Sequence, residues 1–181
     1  MKLTTTILKQ IKNEYIKLSK NEGELRRYFV GSGAYRECFK IIVNKIPYAI
    51  KVDYDYNDED GENVTERNIF NTIKRHHKEL VPYVLPILGS FKLNKKLILV
   101  FPYCKCVGIK YRKNTDDKPR LAVIEHMIED FHHGNVGYWE NLVWCIDLNC
   151  GLDDPTHAKT LSKTHRSKFK PLYNKARKLT A

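Results

Sequence analysis

The sequence predicts an α+β fold: an N-terminal helix, an antiparallel five-stranded sheet with one helix interposed, and a much reduced C-terminal region. Three observations carry this. Ile7, Leu8, Ile11, Tyr15, Ile16 and Leu18 recur among polar residues at helical spacing. From Leu25 to Val52, and again from Ile87 to Phe101, short β-branched and aromatic runs are separated by turn residues. Between those runs, Ile69, Phe70 and Ile73 return to a helical period.

Each element follows from local chemistry. Thr4 to Thr6 offer N-caps to the first helix, and Gly23 is the expected stop. Tyr28 to Val30 leads into the glycine turn Gly31-Ser32-Gly33, and Ile41 to Val43 follows. A turn at Asn44-Lys45 then precedes the run Pro47 to Val52. Asp53 to Glu62 is acidic and turn-rich, and the interposed helix is expected over Thr65 to Ile73. Pro82 to Leu88 reads as a proline-marked connection. Two strands, Ile87 to Phe91 and Leu97 to Phe101, flank a turn at Asn94-Lys95-Lys96. Lys105 to Lys118 reads as a basic loop. Leu121, Ile124, Met127 and Ile128 mark a short helix ending before Asp130, and Tyr138 to Asn141 reads as a turn before a strand at Leu142 to Ile146.

Composition bounds the partners. The 32 lysines and arginines outweigh 21 acids, giving a net charge of +11 that favours acidic or polyanionic partners. Much of the excess falls in residues 152–181, where Lys159 to Lys178 interleave with Phe169, Leu172 and Tyr173. That tail reads as a solvated end or as a docking surface for an acidic protein or a nucleic acid. No run approaches the roughly 18–20 apolar residues of a membrane span. The N-terminus lacks the layout of an export signal, so a cytoplasmic location is expected. The five cysteines are scattered and read as reduced thiols. Cys104-x-Cys106 lacks the further pair a zinc site needs, and His132-His133 reads as a loop-fixing pair rather than a metal site.

Several residues break the pattern of their element. Lys51 stands in an apolar strand, Ala49 to Val52, where a lone charge is costly without a partner. Glu66 lies one turn before Ile69 and Phe70 and can reach toward the sheet, with Glu62 as the fallback partner. The two glycines Gly31 and Gly33, with Ser32, allow backbone N–H groups to approach an anion closely. Asp130 precedes Asn135 by five residues, and Asp147 follows after an apolar run. An acid, an amide and a second acid in that order suit hydroxyl orientation and Mg²⁺ binding.

Together these residues resemble the protein-kinase-like superfamily. Gly31-x-Gly33 is similar to its glycine-rich loop, Ala49-Ile-Lys51 to its strand lysine and Glu66-x-x-Ile-Phe70 to its helix glutamate. Val100 to Cys104 is similar to its hinge, Asp130 and Asn135 to its catalytic loop, and Asp147 to its metal-binding aspartate. The form Asp130-Phe-His-His-Gly-Asn135 most resembles phosphotransferase-like kinases and the small protein kinases of lytic tailed phages. The resemblance covers roughly residues 25–151. It implies ATP and Mg²⁺ as cofactors, bound by Gly31, Ser32, Gly33, Lys51 and Glu66, with Asn135 and Asp147 on the metal. Pro102 O and the Cys104 N–H would meet the adenine, and Asp130, Lys51 and Asn135 would serve catalysis. The implied organisation is a helix at 1–24, a kinase-like lobe with hinge at 25–104, a minimal second lobe at 105–151 and a basic tail at 152–181.

The departures shape the expectation. Arg36 stands where a third loop glycine is common, Ile128 replaces the catalytic-loop histidine, and Asp147-Leu-Asn149 replaces Asp-Phe-Gly. No Ala-Pro-Glu segment follows, so control by activation-loop phosphorylation is not expected. The favoured function is a minimal kinase acting on protein Ser/Thr hydroxyls, in phage manner a host-takeover enzyme. The alternatives are a kinase-shaped binding protein that blocks a host protein or nucleic acid through its basic surface, and a small-molecule phosphotransferase.

Overall fold

The Thr4 side chain accepts a hydrogen bond from Ile7 N at 3.3 Å and starts α1, Thr5–Ser19. The computed structural model describes residues 2–33, 35–54, 61–106, 118–125 and 133–148. These divide into two compact units: Met1–Arg67 with Pro86–Tyr103, and Asn68–Leu85 with the described residues from Cys104 onward.

The first unit is built on a five-stranded sheet. Its strands are β1 Phe29–Ser32, β2 Arg36–Val43, β3 Ile46–Asp53, β4 Gly89–Leu93 and β5 Lys96–Pro102, in the order β1-β2-β3-β5-β4. Every pairing is antiparallel, as the sequence predicts. Asn44-Lys45 and Asn94-Lys95 all take positive φ, the left-handed geometry that matches strand twist in two-residue hairpins. One face of the sheet buries Phe39, Ile41, Val43, Tyr48, Ile50, Ile98 and Val100 against Ile11, Tyr15 and Leu18 of α1. Gly89 packs closely there: a Cβ would lie 3.1 Å from Leu8 Cδ1, so Leu8 would have to give way by a few tenths of an ångström.

Gly23 does not stop the first helix. α1 ends at Ser19, and Gly23 lies inside a second short helix, α2 Glu22–Arg26. The Asn21 side chain accepts from Glu24 N at 3.2 Å, so this cap overrides the helix-breaking tendency of glycine. The helix expected over Thr65 to Ile73 is longer: α3 runs Glu62–His76. Its first turn is closed by Val64 N and Thr65 N donating to Gly61 O at 2.8 and 3.1 Å.

The second unit gathers around Ile69, Ile73, Leu80, Val84, Val123, Ile124, Val136, Val143, Cys145 and Leu148. Pro82 sits within a 3-10 helix, Lys78–Tyr83, rather than in an open connection. Lys105–Cys106 forms β6 instead of opening a loop, and it pairs with β7 Val136–Trp139, which pairs with β8 Leu142–Cys145. The β7–β8 turn falls on Glu140-Asn141 alone, again with positive φ, whereas the expected turn began at Tyr138, which with Trp139 belongs to β7. Gly137 has a steric role, since a Cβ would lie 2.9 Å from Cys104 Cβ and 3.0 Å from Ile146 Cγ2. Arg120 of α4, Lys118–Glu125, stacks on Tyr83 and Trp144 at 4.8 and 5.1 Å and donates to Val143 O and Pro82 O. No helix among the described residues is long and apolar enough to cross a membrane.

Candidate functional site

Alternation along the strands decides which side chains meet. Residues two apart share a face, so Lys51 turns away from the Ile50 core that packs on α1. The register puts Gly31, Cys38, Lys51 and Leu99 in one row across four strands. Arg36 and Asp53 form the next cross-strand pair on the Lys51 face.

Helix α3 completes this face. Asn63 and Glu66 are three residues apart and so project from one side of the helix. Glu66 is 1% exposed, and its carboxylate meets Lys51 Nζ at 2.8 and 2.9 Å. The expected Lys51–Glu66 pair is therefore present, and the fallback Glu62 is not needed for it. Arg36 Nη1 donates to the same carboxylate at 2.7 Å. Two cations thus share one buried anion, all three groups being nearly removed from water. Lys51 Nζ also lies 4.9 Å from the centre of the Phe101 ring, a cation–π contact.

Asn63 ties the helix to the sheet. Its Nδ2 donates to Lys51 O at 2.7 Å and to Leu97 O at 2.9 Å, while its Oδ1 accepts from Arg36 Nη1 at 3.4 Å. Its backbone N–H donates to Asp53 Oδ2 at 3.2 Å. A fully buried amide with every polar atom engaged fixes helix register on β3 and β5. The sequence reading missed both Asn63 and Arg36. The available signal was Asn63 and Glu66 at helical spacing, and Arg36 on the same strand face as Cys38.

Asp53 is strained electrostatically. Burial pushes its carboxyl above the ordinary 3.8, outweighing the Asn63 N–H bond and the attraction of Arg36 and Lys96. Its Oδ1 has no hydrogen-bond partner among the described residues. A raised folded-state value means the neutral acid is favoured on folding. The associated stability is complete below about 3.8 and is lost as pH rises through the higher folded value. Asp53→Asn is therefore expected to raise the melting temperature at pH 7, with the advantage over wild type shrinking toward pH 4. Melting curves of both proteins across that range check it; an advantage independent of pH would refute the assignment.

Gly31 and Ser32 lie within β1 rather than in a turn. Of the expected glycine turn only Gly33 falls in the β1–β2 connection, where its N donates to Arg36 O at 2.9 Å. A Cβ added at Gly31 or Gly33 meets nothing within 4 Å, and neither has a positive φ. Ser32 is exposed opposite Glu37. Packing among the described residues thus gives no reason for either glycine.

In the second unit Asn135 ends a 3-10 turn, His133–Asn135, is 5% exposed, and accepts at its carbonyl from Ile146 N at 2.9 Å. Asp147 follows Ile146 directly, so both residues stand at the same end of the β7–β8 hairpin. The Asp147 carbonyl accepts from Cys145 Sγ at 3.3 Å. Pro102 closes β5 opposite Tyr48, and Cys104 is buried. Cys104 and Cys145 are buried and Cys38 is half-buried. Asp130, His132 and the basic tail lie outside the described residues. No protein-family model matches this chain, and no curated protein sequence does.

Proposed function

We propose that the chain is a minimal ATP- and Mg²⁺-dependent kinase that transfers the γ-phosphate to a protein Ser/Thr hydroxyl. One observation carries the reading: a buried lysine–glutamate pair stands in the same strand row as Gly31 of β1, a glycine that packing among the described residues does not explain. Adjacent strands are about 4.8 Å apart, so Gly31 lies about 10 Å from Lys51 across the row. Open space at both glycines leaves room for a phosphate beside the strand row, where any side chain would intrude; the Gly33 N–H itself is taken by Arg36 O.

The residues divide the work. The Lys51 ammonium holds phosphate oxygens, and Glu66 keeps it extended. Asn135 and Asp147 offer the oxygen donors that a hard cation takes, and they would hold Mg²⁺. That ion supplies charge neutralisation on the phosphates. Asp130, by its sequence position, orients the acceptor hydroxyl and takes its proton as the hydroxyl oxygen bonds to the γ-phosphorus and the bond to the β-phosphate oxygen breaks. Pro102 O and the Cys104 N–H would meet the adenine edge. A protein acceptor is favoured because few residues between Cys104 and Asp130 remain to enclose a small molecule. The basic tail would attract an acidic partner, and the setting would be cytoplasmic.

Millimolar Mg²⁺-ATP is expected to raise the melting temperature, by the equivalent of about 2–3 kcal/mol at a hundredfold excess over Kd. Lys51→Ala should shift less. Zero shift in both proteins would overturn the nucleotide reading.

A further inference from the structure

We propose that Arg36 is a positioning residue for this site: its guanidinium holds the Glu66 carboxylate on the sheet, so the Lys51–Glu66 pair is set by the fold and needs no external switch. The inference rests on the kinase reading above. It starts from a position that, by resemblance, should hold a loop glycine.

The geometry explains why an arginine stands there. Arg36 is 7% exposed, opens β2 directly after the glycine turn, and reaches Glu66 Oε2 at 2.7 Å and Asn63 Oδ1 at 3.4 Å. A carboxylate paired to lysine alone can follow its helix away from the sheet. Here the same carboxylate is bonded from β3 by Lys51 and from β2 by Arg36. Asn63, one helical turn earlier, is bonded to both neighbouring strands. The first turns of α3 are therefore tied at two levels. Guanidinium suits the task because it stays charged and presents several donors in a fixed plane. Arg36 also places a second positive charge next to Lys51 at the end of the glycine turn, where an anionic phosphate would sit.

Docking of such a helix against its strand is a natural point of control, because the lysine is correctly aimed only while the glutamate is in place. With Arg36 and Asn63 both holding it, the docked arrangement needs no phosphorylation or partner to form.

The test compares wild type, Arg36→Gln, Arg36→Lys, Glu66→Gln, the Arg36→Gln/Glu66→Gln double variant and the control Arg26→Gln. Arg26 lies on α2 and makes an exposed pair with Glu37, so its loss should leave transfer unchanged. Phosphate transfer is measured below each melting point, with amide exchange of Asn63 to Glu66 in parallel. Arg36→Gln is expected to lower kcat by about a hundredfold through misplacement of Lys51, with a smaller change in KM for ATP. Arg36→Lys should be intermediate. In the Glu66→Gln background the Arg36 change should add little, since it acts through Glu66. Exchange at the first turn of α3 should quicken in Arg36→Gln only in the Glu66 background. Equal kcat in wild type and Arg36→Gln, or fully additive losses, overturns the positioning role alone. A wild type that neither binds ATP nor transfers phosphate overturns the kinase reading and this role with it.

Discussion

Glu66→Ala is expected to destabilise the protein by about 3–5 kcal/mol, the cost of leaving buried charge without its counter-ion. Two cations depend on this carboxylate. The side chains of Arg36 and Lys51 are 8% and 12% exposed, so water cannot replace Glu66 for either. Glu66→Gln should cost less, because the amide oxygen still accepts one hydrogen bond while the charge is lost. Breaking the surface pair Arg26–Glu37 by Arg26→Gln should cost no more than about 1 kcal/mol, since Arg26 is half-exposed. Urea unfolding of the three variants gives the order directly. A loss in Glu66→Ala no larger than in Arg26→Gln would mean that the buried network does not hold the first unit together.

On the proposed kinase reading, Asp147→Asn and Asp130→Asn are each expected to reduce phosphate transfer by about a thousandfold or more, the first by weakening the metal site and the second by removing the group that orients the acceptor hydroxyl. The two should differ in what else they change. In the proposed role Asp130 meets the acceptor, so its loss should leave Mg²⁺-ATP binding intact. In the proposed role Asp147 meets the metal, so its loss should also weaken the Mg²⁺ dependence of nucleotide binding. Autophosphorylation and transfer to a lysate, with binding measured across Mg²⁺ concentrations, separate the two. Transfer that persists undiminished in Asp130→Asn would refute its role. Binding of ATP with no transfer by any protein would favour the kinase-shaped binding protein.

The pH response of Asp53 is a smaller effect with the same origin as the Glu66 result. Both carboxylates lie where the N-terminal turns of α3 meet β3. Glu66 has two cations within hydrogen-bond reach, whereas Asp53 relies on one backbone N–H and more distant charge. Burial therefore dominates at Asp53, and replacing it can stabilise the chain while replacing Glu66 cannot.

The sequence by itself determined whatever depends on neighbours along the chain. Strand alternation and turn residues at Asn44-Lys45, Asn94 to Lys96 and Tyr138 to Asn141 marked the hairpins, because twist and left-handed backbone are local demands. The structure narrows the last two to Asn94-Lys95 and Glu140-Asn141. Lys51 in an apolar strand announced a partner, because a buried charge demands one, and helical spacing pointed to Glu66. Only tertiary structure decided the rest. Gly23 entered a helix because Asn21 capped it. The early start of α3 was hidden because Asp53, ten residues away, and the strand carbonyls of Lys51 and Leu97 satisfy Asn63. Arg36 read as a missing glycine until β2 and α3 brought it to Glu66, across thirty residues. Local signals record backbone torsion and periodicity; the sharing of one carboxylate by two distant cations is fixed only when strand register and helix packing bring them together.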